Sequence, residues 1–355
     1  MERKKVLIGM SGGVDSSVAA LLMKQQGYEC LGATMQLYEA GICNAPDNAA
    51  DARNIAGKLN IPFHLFSFQR DFEHHVIQAF IQSYEAGLTP TPCIDCNRHL
   101  KFDRMLQRAL ELGCDYVVSG HYARIRRDTE TGRYLLYKAV DAAKDQTYFL
   151  ACLNQYQLSH ILLPLGELTK PEVRQIAEEH GFLNARKRDS QDICFVPDGD
   201  YAAFMSRHTG KTYPEGNYLD MDGNIVGRHK GAVCYTLGQR KGLGIAMGKP
   251  VYVCGKNMEA NTVTLGPNEA LFSNALRAAN FNWFPFPTLE APIAVTAKIR
   301  HSQKEVAAMV YPEEGCRVRV EFDAPQRAVT PGQAVVLYQG DLVVGGGTIT
   351  EALTI

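Results

Sequence analysis

Two cysteines three positions apart stand in the stretch Thr89-Pro90-Thr91-Pro92-Cys93-Ile94-Asp95-Cys96-Asn97-Arg98-His99. A sulfur pair at that spacing converges on one point. It can cycle as a redox dithiol, ligate a metal, or carry sulfur as a catalyst. Two prolines hold an extended approach to a helix start, where thiolates are favoured, and Arg98, His99 and Lys101 add positive charge. Zinc needs four ligands, and the chain has no second C-x-x-C; Cys114 precedes a buried strand and reads as core. A distant cysteine, Cys194, lies in Asp189-Ser190-Gln191-Asp192-Ile193-Cys194-Phe195-Val196, after the basic run Arg186-Lys187-Arg188. Taken alone, Cys194 reads as a core cysteine in an apolar island.

The second constellation is Ser11-Gly12-Gly13-Val14-Asp15-Ser16-Ser17, directly after the apolar run Val6-Leu7-Ile8-Gly9-Met10. Paired glycines let a backbone turn tightly and bring its N–H groups close to an anion. The helix that follows adds the positive end of its dipole at the same point. Three serine hydroxyls can donate to phosphate oxygens, whereas Asp15 repels bare phosphate and so implies a bound Mg²⁺. The loop resembles the pyrophosphatase loop of N-type ATP pyrophosphatases, which cleave ATP between the α and β phosphates. Two look-alikes read as turns. Gly210-Lys211-Thr212 lacks the first glycine of a phosphate loop, with Met205 in its place, and Gly242-Leu243-Gly244 lacks the third glycine of a dinucleotide fingerprint, with Met247 there.

The elements that must position these groups follow from the pattern. The first ~200 residues alternate strand and helix as an α/β sheet does. Val18 to Gln26 reads as a helix, Cys30 to Leu37 as a strand, Asp47 to Leu59 as a helix, Pro62 to Phe68 as a strand and Asp71 to Glu85 as a helix. Asp115 to Ser119 reads as a buried strand, and Tyr122 to Val140 as a hairpin turning near Thr131-Gly132. Thr169-Lys170-Pro171-Glu172 is a capping box opening a helix to His180. After about Met205, short β-rich runs separated by Gly, Pro and Asn suggest small barrel-like modules.

Composition sets the remaining bounds. The chain has 355 residues, 46% hydrophobic and 21% charged, enough for a full core and more than one domain. Ten cysteines are too sparse for a disulfide scaffold. No run reaches the ~18–20 apolar residues of a membrane helix, and the start is too short for a signal-peptide core, so the expected location is cytoplasmic, with neither membrane nor DNA as partner. Net charge is −1, so any RNA must be met by local clusters. Those are Arg98, Lys101, Arg104 and Arg108, then Arg124, Arg126 and Arg127, then Arg186 to Arg188.

Together the motifs are similar to the bacterial and organellar tRNA-specific 2-thiouridylases along nearly the whole chain. The matching blocks are Gly9 to Ser17, the Thr-Pro-x-Pro-Cys-x-x-Cys-Asn stretch, Ser119 to Ala123, Lys144 to Leu150, Ile193-Cys194-Phe195, Tyr235 to Gly244 and Thr330 to Val335. The resemblance implies a parallel-sheet, Rossmann-like adenine-nucleotide α-hydrolase domain carrying the loop (1–205), a small central β-rich domain (206–272) and a C-terminal β-barrel that touches tRNA (273–355). It implies ATP-dependent 2-thiolation of the wobble uridine, position 34, in tRNAs for Lys, Glu and Gln, with sulfur supplied by a cysteine desulfurase or a sulfur-relay protein.

Carried over by position, the resemblance assigns ATP to Gly9, Met10, Ser11, Gly12, Gly13, Val14, Asp15, Ser16, Ser17, Met35 and Gly120. It makes Cys96 the nucleophile and Cys194 the persulfide carrier. It assigns tRNA to Thr91, Pro92, Cys93, His121, Lys144, Asp145, Gln146, His301, Ser302 and Gln333. Many family members carry Asp where this chain has Cys93, which could do similar proton work only as a thiol. The alternative reading gives Cys93, Cys96 and Cys194 to an iron–sulfur cluster. Further alternatives are another ATP pyrophosphatase of this class and an RNA-binding protein without activity.

Overall fold

Val6, Leu7 and Ile8 are fully buried, as a strand covered on both faces must be. In the computed structural model, which describes residues 3–38, 48–184 and 193–354, they form the middle of a five-stranded sheet. The strand order is Phe63–Ser67, Glu29–Gln36, Lys5–Gly9, Tyr116–Val118 and Ile161–Leu162, every pair parallel. Chain order reverses between Lys5–Gly9 and Tyr116–Val118. The carboxyl ends of the strands at such a switch point form the crevice where sheets of this class bind ligands. Cys43, Asp47, the basic run 186–188 and residues 189–192 lie outside the described residues.

One face of the sheet is covered by the helices Val14–Gln25 and Lys170–Glu179, whose Val18, Ala19, Val173 and Ala177 share a core with Val6 and Ile8. On the other face Met105, Leu106 and Ala109 pack against Leu7, Leu31 and Val117. The capping box forms as read: Thr169 donates to Glu172 from its amide and its hydroxyl, both at 2.7 Å. Two helical runs depart from the α-helix that periodicity predicts. Glu73–Gln78 and Cys96–Arg104 are π-helical, a rare winding that frequently marks functional sites.

The hairpin Arg124–Arg127/Tyr134–Tyr137 turns with Gly132 at φ +71°. Its second strand joins the C-terminal sheet through Tyr137 opposite Leu342, so the first and last parts of the chain share one sheet. In the middle, the helix Tyr201–Thr209 precedes four strands ordered Tyr252–Asn257, Thr262–Gly266, Gly216–Leu219 and Ile225–His229. Both look-alike motifs are turns: Gly210, Gly242 and Gly244 all have positive φ. The last strands, ordered Phe272–Trp283, Arg317–Arg327, Val306–Glu313, Ile293–Lys298, Ala334–Gln339 and Leu342–Leu353, close into a barrel because the first also pairs with the last. Leu276, Val310, Val320, Val335, Leu337 and Val344 fill its fully buried interior. Among the described residues, no helix is long and apolar enough to cross a membrane.

Candidate active site

The strand Lys5–Gly9 ends at the switch point and hands the chain to the glycine loop. Gly12 takes φ +72°, a conformation that disfavours any side chain. The Ser11 amide donates to Ser16 Oγ at 3.1 Å, and the Ser16 and Ser17 hydroxyls donate to the Gly13 carbonyl at 3.1 and 2.9 Å. Gly120, just past the neighbouring strand, lies so close that an added Cβ would sit 2.9 Å from the Asp15 carbonyl carbon and the Ser16 nitrogen. Met10, the first residue beyond the strand, is tied to the next strand by its amide donating to Ala33 O at 2.7 Å and its carbonyl accepting from Thr34 Oγ1 at 2.5 Å. Met35 follows on that strand, half-buried beside Phe66. The loop residues expected to hold ATP therefore gather with Gly120 at one edge.

Asp15 projects from the first turn of Val14–Gln25. Its carboxylate accepts from Lys170 Nζ at 2.7 and 2.8 Å and from the Tyr122 hydroxyl at 2.8 Å. Asn184, itself buried, donates from Nδ2 to Gly12 O at 3.0 Å and to Ser17 Oγ at 2.9 Å. Mg²⁺ beside a nucleotide takes one or two carboxylates and fills its remaining positions with phosphate oxygens and water. A single carboxylate on a loop of N–H and O–H donors fits that requirement.

Cys96 is 9% exposed and packs with Phe72, Phe80, Leu100, Phe195 and Val196. Burial pushes its thiol up to about 12 although Lys101 pulls the other way. This corrects the expectation of a thiolate at a helix start. Cys96 sits one turn inside the continuous helical run 92–111, where apolar walls outweigh the helix terminus. Cys93 is exposed, yet its partly enclosing surroundings also raise its thiol, again against Lys101. Cys194 is exposed as well, with its sulfur 3.1 Å from the Tyr38 hydroxyl. That corrects the core reading: the chain buries the following Phe195 and Val196 and turns the cysteine outward. Cys114 is buried, as read.

Phe195 and Val196 pack in the cluster that holds Cys96, and the Cys194 sulfur lies close enough to contribute to the raised thiols of both Cys93 and Cys96. All three are free thiols. Tyr38 follows the carboxyl end of Glu29–Gln36, so Cys194 is held at the edge of the sheet that bears the glycine loop. Lys101 extends the connection. In an α-helix position 101 would point about 140° away from position 96, and the wider winding of the π-turn narrows that angle. The Lys101 charge acts on Cys93, Cys96 and His121 alike, and His121 adjoins Gly120. Among the described residues, no three His, Cys, Asp or Glu side chains converge as ligands for a metal ion. As placed, Cys93, Cys96 and Cys194 do not form the site the cluster alternative requires.

Asp95, between the two cysteines in sequence, carries a carboxyl pushed by burial from 3.8 to about 6, with Arg98 opposing. The hydroxyls of Thr89 and Thr91 and Oδ1 of Asn97 are buried without partners around the same stretch.

Several residues expected to touch tRNA have their side chains committed within the protein. Gln333 donates from Nε2 to Thr89 O at 2.9 Å and Pro90 O at 3.2 Å, gripping the approach to Cys93. Asp145 accepts from the Ala139 amide at 3.0 Å and Thr147 Oγ1 at 2.6 Å. Gln146 accepts from the Tyr122 amide at 2.9 Å. His121 is buried, bonded to Ser119 Oγ at 2.6 Å and held neutral because burial drives its pKa well down. By contrast His301 and Ser302 are exposed, the His301 ring lying 4.4 Å from that of Phe149, and Lys144 is half-buried. Pro92 is buried and Thr91 half-buried. Of the basic clusters, Arg104 pairs with Asp71, Arg108 with Glu111, Arg124 with Asp341, and Arg126 with Glu167.

Lys170, Tyr122, Asn184, Tyr38 and Asp95 were not singled out from the sequence. Only Lys170 left a signal there: a cation at the start of a helix opposes the dipole and needs another reason to be present.

The family described as tRNA methyl transferase HUP domain matches residues 4–198. A tRNA methyl transferase PRC-barrel domain matches 202–267 and an aminomethyltransferase beta-barrel domain 273–349. The chain is 50% identical over 357 residues to the tRNA-specific 2-thiouridylase MnmA of Clostridioides difficile (strain 630), covering 99% of each. It is 51% identical to the protein of the same name from Acetivibrio thermocellus, covering 98% of this chain and 100% of that one. Among solved structures, a 4-thiouridine synthetase–RNA complex with bound ATP aligns with a TM-score of 0.36 at 15% identity, covering 58% of this chain and 50% of that one.

Proposed function

The chain belongs to the tRNA-specific 2-thiouridylase family and is a tRNA sulfurtransferase, and from that premise we propose that it thiolates C2 of uridine 34 in tRNAs for Lys, Glu and Gln at the expense of ATP. The observation that carries the reading is the packing of the Cys194 segment into the apolar cluster of Cys96, at the sheet edge that bears the glycine loop. A redox dithiol needs only Cys93 and Cys96. A sulfur transfer driven by ATP needs a cysteine to carry the persulfide within reach of a second thiol, here Cys194 and Cys96, and a phosphate cradle beside them.

Uracil O2 is a poor leaving group as it stands. Its attack on the α-phosphorus of ATP makes an O2-adenylate and releases pyrophosphate. The loop N–H groups and serine hydroxyls hold the departing phosphates. Asp15 would hold a Mg²⁺ that accompanies the nucleotide, and the ion would supply charge neutralisation there. A cysteine desulfurase or relay protein loads Cys194 as a persulfide. Cys96, deprotonated, attacks the inner sulfur, forms the Cys96–Cys194 disulfide and expels hydrosulfide. Hydrosulfide adds at C2, AMP departs with the former O2, and an external thiol reduces the disulfide.

Asp95 supports the proton traffic. With a carboxyl near 6 it can exchange a proton at neutral pH, the task the family's Asp at position 93 would otherwise perform. The unpartnered hydroxyls of Thr89 and Thr91 suit a polar base withdrawn from the anticodon stack. His301 and Ser302 offer an exposed contact on the barrel, and a cytoplasmic location fits a tRNA substrate.

The test is substitution of each sulfur. Cys96→Ser and Cys194→Ser should each abolish 2-thiouridine, read by mass spectrometry of tRNA nucleosides, while tRNA-dependent pyrophosphate release persists. Normal thiolation by either variant refutes the assignment.

A further inference from the structure

Tyr38 stands two residues past the strand Glu29–Gln36, with its hydroxyl 3.1 Å from the Cys194 sulfur, a contact in which either group can donate. Its place is fixed from several sides. The Tyr38 ring meets Phe72 edge-on at 5.1 Å, and Phe72 meets Phe195 edge-on at 5.8 Å. Phe195 adjoins Cys194, so one buried phenylalanine clasps the segments of both partners. The Tyr38 carbonyl is pinned by Gln69 Nε2 at 2.7 Å. With ring and backbone both held, the hydroxyl oxygen stays where the ring puts it. Packing asks only for the ring, which phenylalanine would supply; the oxygen is spent on the sulfur. A persulfide on Cys194 adds a terminal sulfur ~2 Å beyond Sγ, and rotation about the Cβ–Sγ bond brings it within reach of the same hydroxyl.

We propose that Tyr38 is a catalytic residue, the general acid of sulfide release from Cys194. This rests on the reading of Cys194 as the persulfide carrier and Cys96 as its attacker. Persulfides are more acidic than thiols, so at neutral pH the terminal sulfur is an anion. Attack on the inner sulfur would then have to expel sulfide as a dianion, and so basic a leaving group departs slowly. One proton delivered to the terminal sulfur makes the departing group hydrosulfide. A phenol keeps its proton up to about pH 10, so it is loaded at neutral pH, yet it is a far stronger acid than hydrosulfide. The Cys96 thiolate forms a bond to Cys194 Sγ while the bond from Sγ to the terminal sulfur breaks. That sulfur leaves with the bonding electron pair and the Tyr38 proton. Cys96 supplies the two electrons that reduce it, and the phenolate recovers its proton from water.

The test is a single turnover. Cys194 is loaded with glutathione persulfide, the added sulfur is located by mass spectrometry of the Cys194 peptide, and tRNA, Mg²⁺ and ATP are then added. The readout is formation of the Cys96–Cys194 disulfide per loaded carrier, followed by non-reducing mass analysis. Tyr38→Phe keeps the ring and loses the acid, so the disulfide should form roughly a hundredfold more slowly or worse, the range of general acid catalysis. A packing role gives the opposite pattern, with the parent rate in Tyr38→Phe and a loss only in Tyr38→Ala, and that result overturns the proposal. The parent enzyme provides a second measurement that needs no variant. Its disulfide should form more slowly in deuterium oxide, because a proton moves as the bond breaks; an equal rate overturns the proposal. A parent that takes up no sulfur on Cys194, or forms no disulfide with Cys96, would instead overturn the persulfide reading.

Discussion

Replacing Asp95 with asparagine should stabilise the protein and slow its reaction. The Asp95 carboxyl is held at about 6 instead of 3.8 because burial penalises its charged form, with Arg98 offsetting only part of the cost. A folded-state pKa above the unfolded one means that the native protein binds the proton more tightly. Its contribution is therefore fully present below pH ~3.8 and is lost as pH rises to about 6. The rise corresponds to a maximum of ~3 kcal/mol at 1.36 kcal/mol per pH unit, and the residue's partial exposure lowers the expectation to ~1–3 kcal/mol. Urea unfolding of parent and Asp95→Asn should thus give similar stabilities at pH 4, diverge between pH 4 and 6, and keep a constant gap in favour of asparagine above that. Single-turnover thiolation should fall in the same variant, because asparagine cannot exchange a proton. Two stability profiles running parallel from pH 4 to 8 would show that the carboxyl is not raised and that the argument for its role is wrong.

Cys96, with a thiol near 12, should react with iodoacetamide at a rate that still climbs tenfold per pH unit through pH 9; a plateau below pH 8 would mean that Lys101 outweighs burial after all. Gln333→Ala removes the bonds to Thr89 O and Pro90 O, worth ~1–3 kcal/mol together, so amide hydrogen exchange across residues 88–96 should quicken and thiolation should drop. Unchanged exchange there would leave Gln333 without a positioning role.

What the sequence disclosed follows from how local each feature is. The glycine loop was legible because its chemistry is contained in seven consecutive residues between a strand and a helix. The capping box at Thr169 was legible for the same reason, yet it hid the ion pair of Lys170, whose partner is an aspartate 155 positions away. Gly120 entered only through family resemblance, since the close approach that requires glycine is tertiary. Cys194 misled because apolar neighbours suggest burial. The turn at 193–196 buries Phe195 and Val196 and leaves the sulfur outside, and no periodicity in four residues can announce that. The π-turn at Cys96 was equally silent: its amino acids are those of any amphipathic helix, and the wider winding comes from what packs around it.

The later modules also help to position the sulfurs. The C-x-x-C occupies the first turn of the helical run 92–111, and a first turn, whose leading amides have no partner within the helix, is the part least able to hold two sulfurs in register by itself. The barrel supplies the missing constraint from one side. The Thr89 amide donates to Pro331 O at 3.0 Å, Gln333 holds the next two carbonyls, and a side chain at Gly332 would collide with the Thr89 backbone at 2.9 Å. The helix Tyr201–Thr209, which leads into the central module, acts from the other side: Tyr201 stacks on Tyr84 at 4.4 Å, and Phe204 lies 5.2 Å from Phe195, the residue after Cys194. Barrel and central module are themselves joined where Arg300 and Arg327 donate to the carbonyls of Leu237 and Gly238. The approach to Cys93 and Cys96 is therefore fixed by the barrel, the flank of Cys194 by the helix that leads into the central module, and the two modules by one another. Geometry between the sulfurs is thus set by parts of the chain that contain none of them.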